Sequence, residues 1–417
     1  MAKKWNNWRL AEYMKDLSTV RAEYEKIRSS GARLDMSRGK PNKEQLDLSN
    51  GLLTCLREDE FKASDGTDCR NYGGLDGLPE AKQLLHRMLD VGPDEIIIGG
   101  NSSLNLMFDM VGDAMLRGVY GVEKPWAAQK PVFLCPAPGY DRHFAICEHF
   151  GIEMLPIPML KDGPDMDLVE DIAGSDVKVK GIWCTPKYSN PTGVTYSDEV
   201  VRRLAAMKPK ADDFRIFWDN AYAIHSLGTP EDLMDILSAC RDAGNEDRVF
   251  IFGSTSKVTF AGAGVAMMGA STANLNFIRK RLSKQTIGPD KVNQLRHVKF
   301  FGNYENILKH MEKHAAIIKP KFDLVTGMLE QELGSCGLAS WSQPAGGYFI
   351  SLNTLPGKAK KVYDLAAAAG LVLTRVGDTF PYGKDPEDQN IRIAPTFPSL
   401  EEMEKAMELL LLCIRLA

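Results

Sequence analysis

Long hydrophobic runs are missing from this 417-residue sequence. The longest, from Leu409 to Ile414, is far shorter than the ~20 apolar residues that a membrane-spanning helix needs. The charged start from Met1 to Arg9 is not followed by the apolar stretch of a secretory signal. We therefore expect neither a membrane span nor an exported protein.

An excess of basic residues is also missing. The sequence has 51 Lys and Arg against 55 Asp and Glu, a net charge of −4, whereas nucleic-acid-binding proteins contact phosphates with a basic surface. The eight cysteines are scattered and form no CxxC pair, which is typical of reduced, mostly buried thiols in the cytoplasm. These absences predict a cytoplasmic globular protein that binds no nucleic acid, membrane or metal.

Short β-branched runs alternate with helical patterns between about residues 94 and 303. This alternation predicts an α/β fold with a mostly parallel sheet that is covered on both faces. After Tyr304 the pattern predicts a smaller α+β domain. We expect a large domain over residues 50–303 and a small domain from residues 1–49 and 304–417. The predicted strands of the large sheet are Glu95–Ile98, Pro131–Leu134, Val177–Trp183, Phe214–Trp218 and Arg248–Phe252.

The first thirty residues have apolar side chains at helical spacing, which predicts an amphipathic helix that docks on the body or on a partner subunit. The side chains that define this pattern are Trp8, Tyr13, Leu17, Val20, Tyr24 and Ile27.

The strongest motif is Gly253-Ser-Thr-Ser-Lys257, which follows the last predicted strand. A lysine at the carboxyl end of a strand can lose solvent, which lowers the pKa of its amine and makes it a nucleophile toward carbonyl groups. The hydroxyl groups of Ser254 and Ser256 are able to bond phosphate oxygens. Because such a string also arises by chance on solvated loops, its meaning depends on the neighbouring motifs.

Two more motifs follow strand ends, which meet at one edge of a parallel sheet. Trp218-Asp219-Asn-Ala-Tyr222 places a carboxylate there, and a buried carboxylate needs a cationic partner. The protonated pyridine nitrogen of a cofactor would be such a partner. Asn190, in Asn190-Pro-Thr-Gly193, could direct an amide donor at a phenolate oxygen, although without Asp219 and Lys257 an ordinary Asn-Pro turn is the favoured explanation of this string.

A possible anion site lies at Gly99-Gly-Asn-Ser-Ser103, between a predicted strand and a predicted helix. Free backbone N–H groups and hydroxyls at a helix start favour a phosphate, and a plain serine N-cap is the alternative. Tyr140, in Pro138-Gly-Tyr140, follows another strand and offers a ring for stacking.

In this order, the motifs resemble the fold-type-I pyridoxal-phosphate (PLP) enzymes of the class I/II aminotransferase superfamily, over nearly the whole chain. Arg70-Asn-Tyr72-Gly73, Pro344-Ala-Gly-Gly-Tyr-Phe349 and Arg392-Ile-Ala394 add to the resemblance. It implies the PLP-dependent transferase fold, with a mostly parallel seven-stranded sheet in the large domain. It also implies PLP as the cofactor, amino acids and 2-oxoacids as substrates, and a homodimer with shared active sites.

The resemblance assigns cofactor contacts to individual residues. Lys257 would hold PLP as a Schiff base and move the proton, and Asp219 would pair with the pyridinium nitrogen. Tyr222 and Asn190 would bond the ring oxygen, and Tyr140 would stack on the ring. The side chains implied around the phosphate are Asn101, Ser102, Ser103, Ser254 and Ser256.

Substrate contacts follow from the same resemblance. Arg392 would take the α-carboxylate beside Asn190, a task that suits the bidentate guanidinium, and Gly39 would close over it. Tyr72 would reach in from the second subunit. An acidic donor would need a further cation, for which Arg142 and Arg38 are candidates, with a surface arginine as the equal alternative for each.

One feature departs from the family pattern. Members usually carry an arginine about eight residues after the lysine to bind phosphate, but Ala263-Gly-Val-Ala-Met-Met268 contains none. Hydroxyls and amides, or Lys291, would have to replace it. The chain thereby resembles MocR-like bacterial aspartate aminotransferases, although residues 1–70 lack the basic helix-turn-helix pattern of the MocR regulators. His143 would support the charge of Asp219, or is an ordinary buried histidine.

The sequence thus predicts an aminotransferase that converts aspartate and 2-oxoglutarate by a ping-pong mechanism. Aromatic, kynurenine-type or alanine donors are the nearest alternative. Another PLP reaction such as β-elimination, or a PLP-binding sensor without turnover, stays open.

Overall fold

A mixed eight-stranded sheet forms the centre of the molecule. The computed structural model describes residues 7–31 and 33–417, and of residues 7–16 only the backbone. The strands in this part of the chain are β1 (Leu34–Asp35), β2 (Ile96–Ile98), β3 (Val132–Ala137), β4 (Glu153–Leu160), β5 (Gly163–Pro164), β6 (Val179–Cys184), β7 (Arg215–Asp219), β8 (Val249–Ser254), β9 (Ala266–Gly269), β10 (Ala339–Trp341), β11 (Ile350–Thr354), β12 (Leu371–Val372) and β13 (Asn390–Ile393).

Helices connect these strands and cover the sheet. They are α1 (Asn7–Ser29), α2 (Lys43–Asp47), α3 (Pro79–Leu85), α4 (Ser103–Arg117), α5 (Asp141–Phe150), α6 (Met166–Ser175), α7 (Asp198–Ala206), α8 (Ile236–Asp242), α9 (Thr272–Gln285), α10 (Lys291–Phe301), α11 (Tyr304–Leu333), α12 (Ala359–Ala368) and α13 (Leu400–Leu416).

The centre of the sheet is parallel, from β8 through β7, β6 and β3 to β4, whereas β2, β9 and β5 pair antiparallel at its two edges. Every residue of β3, β6 and β7 is buried, because parallel strands need crossover helices that cover both faces of the sheet. The predicted α/β fold of type I is confirmed. Its seven strands are extended by the two-residue strand β5.

Three strands of the sheet were not predicted individually: the two-residue β5 and the longer strands β4 and β9. Strand β4 contains two prolines and alternates between exposed and buried positions, and β9 reads Ala-Met-Met-Gly, without a β-branched residue. Prolines inside a strand and a strand without β-branched residues are both unusual, so the sequence did not mark either segment as a strand. Both strands form because a paired neighbour already lies beside them.

The two ends of the chain build a second hydrophobic core around the antiparallel sheet β10-β11-β13. Helix α1 packs there, as its pattern predicts: Val20 and Tyr24 are buried, and the Tyr24 hydroxyl donates to the carbonyl oxygen of Leu365 (2.9 Å). The side chains of Trp8 and Tyr13 lie outside the described residues. This core also takes side chains from the central segment, such as Tyr222, and the domain division at residues 50 and 303 stays a proposal.

Four loops reach the same edge of the large sheet because the carboxyl ends of parallel strands lie together. Tyr140 follows β3, Asn190 follows β6, Asp219 ends β7, and Lys257 follows β8. Within the described ranges, none of the helices combines the length and apolar character that a membrane crossing requires. The same ranges contain no cluster of three or more His, Cys, Asp or Glu side chains placed to hold a metal ion.

A buried ion pair joins β6 to the segment before β7. Lys180 Nζ lies 2.6 Å from Asp213 Oδ1, and the two side chains are only 1% and 4% exposed. Replacing Asp213 alone leaves the Lys180 charge buried without a partner.

We expect Asp213→Leu to lower the free energy of unfolding by about 3–5 kcal/mol, measured by urea denaturation followed by circular dichroism. The double variant Lys180→Met/Asp213→Leu removes both charges and should regain most of the loss. A double variant that is as unstable as the single one would contradict this account of the pair.

Candidate active site

A cavity of about 200 Å³ lies where the strand ends meet. Ten of the residues that the sequence singled out line it: Gly39, Ser102, Ser103, Tyr140, Asn190, Asp219, Tyr222, Ser254, Ser256 and Lys257. Leu104, Met107, Thr185, Ala221 and Phe349 complete the wall and were not predicted.

Asp219 presents one unpaired carboxylate oxygen in this site. Its Oδ2 lies 3.0 Å from Nε2 of His143, whereas its buried Oδ1 has no hydrogen-bond partner among the described residues. The His143 ring stacks on Trp183, with ring centres 4.4 Å apart and an angle of 7° between the planes, which fixes its orientation. Since a buried acceptor without a donor is costly, Oδ1 is suited to accept from an N–H group that enters the cavity.

Lys257 lies in the same cavity with its amine 5.0 Å from the centre of the Tyr222 ring. Loss of solvent lowers the pKa of this amine, and the Asp219 carboxylate partly opposes the shift. A lowered pKa increases the fraction of neutral amine, which is the form that attacks carbonyl groups.

Arg392, on β13, does not line the cavity itself but contacts two residues that do, Asn190 and Phe349. Its Nη1 donates to Asn190 Oδ1 (3.3 Å) and to Asp141 Oδ1 (3.0 Å), and its Cζ lies 4.9 Å from the centre of the Phe349 ring. A Cβ at Gly39 would stand 2.4 Å from Cζ of that ring, so only glycine lets the chain pass there. Asp141 was not predicted, because its ionic partner is 251 residues away in the sequence.

The amino end of α4 faces the cavity. Ser102 is the N-cap residue, yet its side chain makes no capping hydrogen bond, so the hydroxyl and the first N–H groups of the helix are available to an anion. Ser256 Oγ donates to the carbonyl oxygen of Asn101 (3.1 Å), and Asn101 Nδ2 donates to that of Gly262 (3.3 Å). These two bonds tie the start of α4 to the loop that carries Lys257.

Comparison with known proteins identifies the family. The family model described as aspartate amino-transferase matches residues 10–417. The chain belongs to this aminotransferase family.

Individual relatives agree with that assignment. An aspartate aminotransferase of Corynebacterium glutamicum is 45% identical over 401 residues, which cover 95% of this chain and 92% of the relative. A Mycolicibacterium smegmatis protein named as an aminotransferase is 51% identical over 399 residues, covering 94% and 93% of the two chains. The crystal structure of an aspartate transaminase from C. glutamicum superposes with a TM-score of 0.95 at 43% identity, covering 99% and 97% of the two chains.

This aminotransferase is PLP-dependent, as its family is, and its residues fit that cofactor. The unpaired Oδ1 of Asp219 suits a pyridinium N–H. The free amino end of α4 suits a phosphate, and Lys257 supplies the amine for a carbonyl carbon. The finer placement in the MocR-like branch stays a prediction.

Several predicted site residues do not line the cavity. Arg142 has a side chain that is 58% exposed, with Nε 3.7 Å from Asp141 Oδ2, and Arg38 is exposed. Tyr72 is 81% exposed. Lys291 is buried and donates from Nζ to the carbonyl oxygen of Gly73 (2.6 Å), so it holds the loop of Tyr72, and its position does not support a role in phosphate binding.

Helix α10 anchors the loop that carries Lys257, through residues that the sequence did not single out. His297 Nε2 lies 3.1 Å from the Thr255 hydroxyl and 3.0 Å from the Thr259 hydroxyl. Asn293 Nδ2 donates to the carbonyl oxygens of Ala263 and Gly264 (both 3.0 Å). Both ends of the loop are therefore bound to one helix. These bonds join residues about 30 to 40 positions apart, and no local pattern in the sequence indicates them.

Burial of His297 predicts a pH dependence of stability. Burial lowers the pKa of the His297 imidazole to about 4, whereas a histidine in the unfolded chain has a pKa near 6.5. The unfolded chain therefore binds the proton more tightly, and stability falls as the pH drops from about 6.5 to 4.

We expect His297→Gln to reduce the loss of unfolding free energy between pH 7 and pH 4.5 by roughly 2–3 kcal/mol, measured by urea denaturation at both pH values. The exposed His149 provides the matched control, since His149→Gln should leave the wild-type loss unchanged. An unaltered loss in His297→Gln would show that this histidine is not the group that titrates.

Proposed function

We propose that this aminotransferase transfers the amino group of aspartate to 2-oxoglutarate. The aminotransferase chemistry rests on one observation above all, the unpaired Asp219 oxygen in the same cavity as Lys257. The choice of aspartate is supported by the relatives from C. glutamicum, which carry that substrate in their names.

In the proposed mechanism, each residue has a defined task. Bound PLP supplies an electron sink that stabilises negative charge on the donor's Cα. Asp219 would accept the ring N–H through Oδ1 and so keep the ring protonated, while His143 holds Oδ2. Nζ of Lys257 would hold the cofactor covalently, and its amine, once free, would accept the proton from the donor's Cα and give it back during the transfer.

The remaining residues bind and orient. Asn190 accepts from Arg392 through Oδ1, which leaves its amide nitrogen to donate toward the ring oxygen together with the Tyr222 hydroxyl. Tyr140, in the cavity wall, would stack on the ring. Arg392 takes the α-carboxylate, and the backbone at Gly39 closes over it. Ser102, Ser103 and Ser254 would bind the phosphate together with the N–H groups at the start of α4. Asn101 and Ser256 hold the start of α4 against the loop that carries Lys257.

Absorption spectroscopy tests this function. Protein loaded with PLP should lose its visible band when L-aspartate is added alone and regain it with 2-oxoglutarate, because the amino group is stored on the enzyme between the two substrates. Lys257→Arg keeps the positive charge but lacks the nucleophilic amine. Its turnover should fall by about 10²–10⁴-fold.

Other outcomes separate the alternatives. Loss of the band with alanine or an aromatic amino acid, but not with aspartate, would replace the proposed donor and keep the chemistry. Pyruvate release without an amino acceptor would indicate β-elimination. A band that no amino acid changes would leave a PLP-binding sensor.

We also propose a cytoplasmic homodimer with shared active sites. All eight cysteines are free thiols, as expected in a reducing compartment. The exposed apolar side chains of Tyr72 and Ile287 lie on neighbouring loops, since a Cβ at Gly288 would stand 2.3 Å from the Gly73 carbonyl oxygen. Exposed apolar patches of this kind mark protein interfaces.

A subunit-mixing experiment tests the shared site. Lys257→Ala and Tyr72→Ala proteins should each be impaired, and unfolding and refolding them together should restore activity. A mixed dimer contains one site that combines Lys257 of one subunit with Tyr72 of the other. Sedimentation equilibrium gives the subunit number. A mixture no more active than the sum of its parts would show that Tyr72 does not act across an interface.

A further inference from the structure

The guanidinium of Arg392 has few donors left for a substrate. Its Nε donates to Thr374 Oγ1 (3.2 Å). Its Nη1 carries two N–H groups, and these are used by Asn190 Oδ1 (3.3 Å) and Asp141 Oδ1 (3.0 Å). With a side chain only 9% exposed, Arg392 has little room to turn away from these partners.

A carboxylate that binds an arginine in the bidentate manner needs one N–H from each of two neighbouring nitrogens. The Thr374 hydroxyl holds Nε, which leaves the pair Nη1 and Nη2. Both N–H groups of Nη1 are taken, so an incoming carboxylate has to displace Asn190 or Asp141. Of these two, Asp141 is the one that an incoming carboxylate can replace with the same charge and the same acceptor atoms, because its side chain is itself a carboxylate.

We propose that Asp141 occupies the place of the substrate α-carboxylate on Arg392 in the free enzyme, and moves to Arg142 when the substrate binds. This inference rests on the proposed function, in which Arg392 binds the α-carboxylate. Asp141 thereby weakens substrate binding while it keeps the charge of Arg392 compensated between turnovers.

The surroundings of Asp141 allow this exchange. Its side chain is 29% exposed at the start of α5, and its Oδ2 already lies 3.7 Å from Nε of Arg142. Arg142 is 58% exposed, so its head is free to follow the carboxylate. Nearby, Asp378 Oδ1 lies 3.4 Å from Nε of Arg375. That carboxylate therefore has an ionic partner of its own.

Asp141→Asn tests the proposal on the PLP-loaded enzyme. We expect the dissociation constants of succinate and propionate, measured by titration of the PLP absorbance, to fall about threefold to tenfold, as for loss of a partly exposed competing ion pair. The KM values of aspartate and alanine should fall with them. Propionate carries only the carboxylate that Arg392 would bind, so the result does not depend on the donor's side chain.

Asp198→Asn is the matched control. Asp198 also starts a helix, α7, and pairs with an exposed arginine, Arg202 (3.1 Å), so loss of a helix-start charge is reproduced away from the cavity. Its dissociation constants should equal those of the wild type. Unchanged or weaker binding in Asp141→Asn would overturn the proposal, because it would mean that the Asp141 carboxylate does not compete.

Arg142→Gln tests the second half of the exchange. It should weaken succinate and propionate equally, and it should have no effect in an Asp141→Asn background. If it weakens succinate alone, and does so in both backgrounds, Arg142 contacts the distal carboxylate and the proposed movement is overturned. Wild-type enzyme that shows no spectral reaction with any amino acid, while Asp141→Asn still tightens propionate, would refute the proposed function and leave the competition intact.

Discussion

The structure of the site depends on a buried negative charge, the carboxylate of Asp219 at the end of β7. His143 and the stacked Trp183 fix one of its oxygens, and the other has no partner among the described residues. A charge held in this way is costly until a cation or a donor reaches it. The same charge opposes the loss of positive charge on Lys257, so the two residues that we propose to hold the cofactor interact electrostatically.

Two layers keep these groups in place. The parallel sheet brings the loops after β3, β6, β7 and β8 to one edge. Behind the loop of Lys257, helix α10 binds both ends through His297 and Asn293. The second core brings Arg392 on β13 against Asn190, so the arginine that would bind substrate and the amide that would bind the cofactor share a hydrogen bond. Nη1 of Arg392 would therefore connect the proposed substrate site to the proposed cofactor site.

Much of this could be read from the sequence, and the part that could not has a common cause. The motifs at Asn101, Asp219 and Lys257 were visible because each follows a strand in the chain, and a parallel sheet collects such positions automatically. Strands β4 and β9 were missed because their pairing depends on neighbours and not on their own composition. Arg142, in the first turn of α5, and Arg38, on a loop, were plausible as substrate ligands, yet the direction of their side chains is set by packing that no local pattern encodes.

The sequence by itself determined the α/β fold and the order of the motifs, since these follow from periodicity and from residues adjacent in the chain, and the resemblance of those motifs to a family implied the Schiff-base lysine. Only the tertiary structure decided which charged groups and which hydrogen-bonding groups face each other. Asp141 meets Arg392 across 251 residues, and His297 meets Thr255 across 42. Electrostatic and hydrogen-bond energies depend on distances of a few ångströms, and such distances between remote positions exist only once the chain is folded.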